Sequence, residues 1–247
     1  MSELIDNTHR KKELLKHLML QVQEGKAPEA VKNQLAHIMG EVPYETVVEV
    51  EQELLGEGLS TDQILKFCDI HTKVLKGQIT GKEEKDLPIG HPARTFQEEN
   101  RSLRWELEGL ERLSKELEAL PEDEPAGEVL DQIKIRFHAL ADIEKHYDRK
   151  ENLLFPYLEK HRITGPSKVM WAKDDQAREM VSAGIEALRE LNGATAGEVR
   201  AVVELVLEPA KEGIEDMIYR EEEILIPLSL DTLSEAEWFS IYQQSPD

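Results

Sequence analysis

Apolar residues recur along almost the whole chain with a helical period, and no run alternates strictly enough to read as a strand. Beyond His91-Pro92 the pattern predicts four long helices, roughly 92–120, 126–160, 167–192 and 196–229. Pro121 to Pro125, Gly165-Pro166 and Asn192-Gly193 break them. A short last helix around 234–243 follows Ser234-Glu235-Ala236-Glu237, which has the form of a helix cap. Ahead of these lie four short helices. Gly25 ends the first, Pro28 opens the second, and Pro43 opens the third. Gly56 and Gly58 close the third, and Ser60-Thr61-Asp62-Gln63 begins the fourth with a capping-box pattern. The expectation is an all-α chain: a small helical domain over 1–77, a linker over 78–90, and an up-down four-helix bundle with a short C-terminal helix over 91–247.

Laying each long helix out at about 100° per residue gives the inward faces. The first presents Phe96, Asn100, Leu103, Leu107, Leu110 and Leu117. The second presents Ile143, His146, Tyr147, Lys150, Leu153 and Leu154, with Glu151 at the edge of the arc. The third presents Trp171, Asp174, Arg178, Val181, Ile185 and Leu188. The fourth presents Ile214, Met217, Ile218, Glu221, Ile224 and Leu225. Each apolar face thus carries polar residues near the same end of the bundle: Asn100, His146 with Lys150, Asp174, and Glu221. Buried charge is costly unless paired, so these positions are candidates for a shared polar site. The plainer alternative is that each reaches to the rim, as Lys and Glu often do.

Two of the faces are related. Residues 143–156, Ile-Glu-Lys-His-Tyr-Asp-Arg-Lys-Glu-Asn-Leu-Leu-Phe-Pro, recur 71 residues later as 214–227, Ile-Glu-Asp-Met-Ile-Tyr-Arg-Glu-Glu-Glu-Ile-Leu-Ile-Pro, with six of 14 positions identical. The differences fall on the polar centre: His146 becomes Met217, and Lys150 becomes Glu221.

Composition narrows the function. The net charge of −21 over 247 residues argues against nucleic acid and anionic membrane as partners. The single cysteine excludes an internal disulfide and fits the cytoplasm. There is no signal peptide pattern and no apolar run long enough for a membrane helix. Gly-rich phosphate loops and Ser–His–Asp patterns are absent as well, so a regulatory or ligand-sensing role is favoured over an enzyme. Cys68 and His71, spaced i, i+3, could share a metal or a haem, and His146 with Met217 makes a His–Met pair of the kind that ligates haem iron. The plainer account of Cys68 and His71 is a small core residue beside a satisfied histidine.

From His91 to about Leu230 the chain resembles the hemerythrin-like cation-binding (HHE) family, through Leu154-Phe155-Pro156 and Leu225-Ile226-Pro227 and the polar positions before them. The segment before His91 resembles the DUF438 domain, through Arg10-Lys11-Lys12-Glu13-Leu14-Leu15-Lys16, Glu51-Gln52-Glu53-Leu54-Leu55 and Cys68-Asp69-Ile70-His71. The first resemblance implies a hemerythrin-like bundle around a non-haem iron pair, read by a small diatomic ligand such as O2 or NO or by redox state. It also implies a signalling protein or PAS domain as partner. Its ligand positions translate here to His91, His146, Glu151, Asp174, Glu221 and Glu222 as candidate metal ligands. Lys150 stands where the family has a bridging glutamate, Met217 and Asn100 where it has histidines, and Met170 or Trp171 before Asp174 where it has a histidine pair. The reciprocal Lys150/Glu221 change predicts a salt-bridge network of Lys150, Glu221, Asp174 and Asn100 in place of a standard di-iron centre. The cofactor is then iron, haem as the alternative, or none, the last leaving a metal-free interaction scaffold.

Overall fold

The computed structural model describes residues 2–23, 29–42, 44–60, 63 and 87–245. Among these there is no strand, only an isolated bridge between Pro125 and Thr195. The chain divides into two compact units. One gathers residues 1–86, 158–170 and 223–232, and the other gathers 87–157, 171–222 and 233–247.

In the first unit, α1 (Ser2–Gln23), α2 (Glu29–Glu41) and α3 (Tyr44–Gly56) share a core of Leu15, Leu18, Met19, Leu35, Met39, Val47, Val50 and Leu54. Lys12 and Lys16 on α1 reach Glu49 and Glu53 on α3 and Glu57 just past its end. Such exposed pairs register the two helices but stabilise them little. Ser60 and Gln63 exchange the expected capping bonds, with Gln63 N–H donating to Ser60 Oγ and Ser60 N–H to Gln63 Oε1. The helix this cap was expected to open lies outside the described residues.

The long helices of the bundle begin with α4 (Pro92–Glu118). His91 caps it, its Nδ1 accepting from the Ala93 N–H at 3.1 Å, and Pro92 supplies a first residue that needs no N–H partner. The second rod is not the single continuous helix that its period predicts. It runs as α5 (Gly127–Ala139), a 3₁₀ turn (Leu140–Asp142), α6 (Ile143–Arg149), a π turn (Lys150–Leu154) and α7 (Phe155–Lys160). The third is unbroken, α8 (Gly165–Glu190). The fourth alternates again: α9 (Ala196–Val202), a π turn (Val203–Leu207), α10 (Glu208–Arg220), a π turn (Glu221–Leu225) and α11 (Ile226–Thr232). Capping boxes at Thr195–Glu198 and Ser234–Glu237 start α9 and the short α12 (Glu235–Gln244). At one end the loops are stitched together: the Ala126 N–H donates to the Ala194 carbonyl and the Ala196 N–H to the Glu124 carbonyl, at 3.0 and 2.8 Å.

The π turns have a common cause. Each ends two residues before a proline: Leu154 before Pro156, Leu207 before Pro209, Leu225 before Pro227. A proline inside a helix lacks the N–H of the ladder, and its ring crowds the carbonyl four residues back. Widening the preceding turn by one residue relieves that crowding without ending the helix. The Phe155 N–H accordingly donates to the Lys150 carbonyl, five residues back. The sequence repeat thus marks a mechanical device, and Leu207-Glu208-Pro209 is a third copy that comparing the repeats missed.

One inward assignment is corrected. Trp171, expected on the apolar face of α8, is 43% exposed, while its neighbour Met170 is buried. Asp174, Val181 and Leu188 are buried as expected, but Met170, Ala177 and Gly184 are the buried neighbours of the expected Trp171, Arg178 and Ile185, so the stripe is offset by one position at every other step. Along that stripe, Gly184 lets α8 approach α5 so closely that a Cβ there would collide with the Phe137 ring. Gly184→Val is expected to cost about 1–3 kcal/mol by overpacking, visible as a lower melting temperature with helicity retained.

Candidate functional site

The polar positions of three helices meet in the second unit. Lys150, which opens a π turn, is fully buried, and its ammonium donates to Asp174 Oδ1 at 2.7 Å and to Glu221 Oε1. Glu221 opens the repeat-related π turn. Its other oxygen pairs with His146 Nε2 at 2.7 Å, and His146 Nδ1 pairs with Glu99 Oε2 at 2.8 Å. Arg149 reaches the remaining Glu99 oxygen at 3.2 Å. The result is one chain of contacts: Asp174, Lys150, Glu221, His146, Glu99, Arg149. The Phe96 ring meets His146 edge-on, and the Tyr147 ring lies 4.2 Å below the Lys150 ammonium.

The π turns place these groups. A π turn adds one residue to the turn and so shifts the helix face that follows it. Lys150 and Glu221 open two such turns, and each is buried beside a buried neighbour, Glu151 and Arg220 respectively. Glu151, expected at the edge of its arc, is held by the Arg178 guanidinium at 2.8 and 3.0 Å. Arg178 lies over the face of Tyr147 as well, 5.4 Å from the ring centre, so a second cation flanks the same ring.

Burial opposes every charge here, and the partners decide the outcome. Burial alone would lower the pKa of His146, but the charge of Glu221 and the bonds to Glu221 and Glu99 raise it to about 9. Glu221, despite complete burial, is held at about 2 by His146 and Lys150. Lys150 is raised: burial disfavours the ammonium, and Asp174 and Glu221 outweigh it. Asp174 goes the other way, to about 8, because burial and the nearby Glu221 charge exceed the pull of Lys150. Lys150 and His146 are thus favoured as cations around the Glu221 carboxylate, while burial works against ionisation of Asp174.

The remaining candidates stand apart from this chain. His91 caps α4 and packs at a tilt against Trp238 with ring centres 4.8 Å apart. Glu222 forms a two-point pair with Arg104 on the surface. Met217 is buried one turn before Glu221, but both ring nitrogens of His146 are already engaged by carboxylates. Asn100 is fully buried, and neither its amide oxygen nor its nitrogen has a hydrogen-bond partner among the described residues. Cys68 and His71 lie outside the described residues. Sequence reasoning missed Glu99 and Arg149. Glu99 sits beside Asn100 at the edge of the inward arc, and only the rotational register of α4 against α6 shows that it reaches His146.

Two pockets flank Glu99. One of about 220 Å³ has His146, Ser102 and Asp142 in its wall, and one of about 630 Å³ has Thr95, Arg149 and Tyr242. Solvent thus approaches the network at Glu99, whereas the Lys150 end is sealed. No group of three or more His, Cys, Asp or Glu among the described residues is arranged to hold a metal ion. Nor, among them, is any helix long and apolar enough to cross a membrane.

Comparison with known families gives two matches. Residues 91–229 match the hemerythrin HHE cation binding domain, and residues 15–81 match DUF438, a family of unknown function. No curated protein matches the chain.

Lys150→Met is expected to destabilise the bundle by about 3–5 kcal/mol, since it leaves Asp174 and Glu221 buried without their cation; urea unfolding reads this. His146 is raised from 6.5 to about 9 on folding, so its stabilisation is complete below pH 6.5 and lost as the pH rises through about 9. The stability gap between wild type and His146→Gln should therefore be constant below that window and shrink across it. An imidazole NMR titration of His146 should have its midpoint near the upper value.

Proposed function

The chain belongs to the hemerythrin HHE cation-binding family, and from that premise we propose that it is a regulatory member whose bundle centre is held by its own protonated side chains in place of a metal pair. The observation that carries this reading is the Lys150 ammonium bonded to both Asp174 and Glu221 at the repeat-related positions. The donor set fits two metal ions poorly. A fixed cation already lies between the carboxylates, both nitrogens of His146 are engaged, and Met217 offers only a weak thioether. Haem through His146 and Met217 would require the ring to give up a carboxylate at 2.7 or 2.8 Å, so it is the weaker reading.

In this layer neither the ammonium nor the imidazole is free to react, which also fits a regulatory role. Lys150 is a doubly bonded ammonium, a poor nucleophile, and His146 has no unengaged nitrogen with which to act as a base. Without a metal pair, O2, NO or redox state has no obvious receiver in this layer. That leaves a protein partner as the better-supported recipient of the signal.

Elemental analysis and a visible spectrum of protein produced with added iron test the reading. Iron is expected far below one atom per chain, with no Soret band on adding haem and no change in melting temperature with Fe(II). Stoichiometric iron that raises the melting temperature would overturn it. Lys150→Glu supplies the positive arm. It gathers Glu221, Asp174, His146 and the new carboxylate without their cation, and should gain a stabilisation by divalent cations that the wild type lacks.

A further inference from the structure

Three large apolar side chains stand in solvent near the start of the bundle. Ile89 is 89% exposed, Phe239 58% and Tyr242 53%. They belong together: Phe239 and Tyr242 stack at 6.3 Å on the outer face of α12, and Gly90, next to Ile89, lies against the Tyr242 ring. Contiguous exposed apolar surface with a polar rim marks an interaction site more often than chance exposure does. The surface beneath is well anchored. Trp238 of α12 is buried and packs at a tilt against the cap residue His91, and the α12 capping box fixes the helix start.

The rim indicates what would dock. α12 opens on Glu235 and Glu237, and Glu99 and Arg149 line the pocket that Tyr242 borders. The Arg149 guanidinium there is already engaged by Glu99 at 3.2 Å. α12 itself carries two carboxylates and no basic residue. A second copy of the chain, itself at −21, would be repelled. Exposed aromatic faces beside carboxylates instead suit lysine and arginine.

We propose that this face docks a basic amphipathic helix of a partner protein. The partner's apolar stripe would lie on Ile89, Phe239 and Tyr242, and its cations would meet the carboxylate rim. The adjoining pocket of about 630 Å³ receives side chains at one edge, with Glu99 and Arg149 in its wall. Glu99 is also the solvent-side end of the buried ion-pair chain, so docking would act directly on the side chain that holds His146. This deepens the regulatory reading, yet it is read independently of metal content: the iron measurement can fail while docking stands, and the reverse.

The test is calorimetric titration of the full chain with a synthetic leucine–lysine amphipathic helix and with its leucine–glutamate counterpart. The basic helix should bind and the acidic one should not. Phe239→Ala and Tyr242→Ala leave the charge unchanged and alter exposed positions, and each should weaken binding about tenfold or more. Trp105→Ala, at an exposed aromatic on α4, should leave it unchanged. Equal binding by wild type and both aromatic variants would mean general attraction to an acidic chain and would overturn the proposal. So would a concentration-dependent dimer abolished by Phe239→Ala, since the face would then belong to a second copy.

Discussion

A lysine ammonium with no access to water must be matched by anions inside the protein, or the fold does not tolerate it. Lys150 meets that requirement with Glu221 and Asp174, and the same demand then passes from group to group. Glu221 is ionised because Lys150 and His146 both face it. His146 is protonated because Glu221 and Glu99 hold its two nitrogens. At Asp174 burial pushes the pKa up against the pull of Lys150. Three rods of the bundle and the first turns of α4 are tied to one charge-balance condition, and the packing of their apolar faces is organised around it.

The prolines make this layer possible. Pro156 and Pro227 force a wide turn just before them, and those turns begin at Lys150 and Glu221. Glu151, next to Lys150 in the first of these turns, is buried with it and finds Arg178 while its neighbour serves the central network. The sequence feature that draws attention first, a repeated Leu-x-Pro ending, is the mechanical cause of the geometry upstream of it.

The helical period and the capping residues made the all-α fold and its breaks legible, because both act through short-range backbone chemistry. The polar layer was legible for the residues nearest the centres of the predicted arcs, His146, Lys150, Asp174 and Glu221, which the structure brings into one chain of contacts. Where the turn geometry changes, the arcs lose their register. The 3₁₀ and π turns were invisible to a constant period, and Trp171 was placed one position off the buried stripe. Glu99 could not be read because its role depends on how α4 is rotated against α6, which a single helix does not encode.

The charge balance at the centre also limits how this protein can change over generations. Removing Lys150, Glu221 or His146 alone leaves a buried charge uncompensated, so those positions can drift only as a coordinated set. Passage between a centre built on a cation from solution and one built on an internal ammonium therefore has to cross a fitness valley, or proceed through an intermediate in which a carboxylate is neutralised first. Asp174, whose carboxyl is already pushed toward its neutral form by burial, is the position where such a crossing would begin most cheaply.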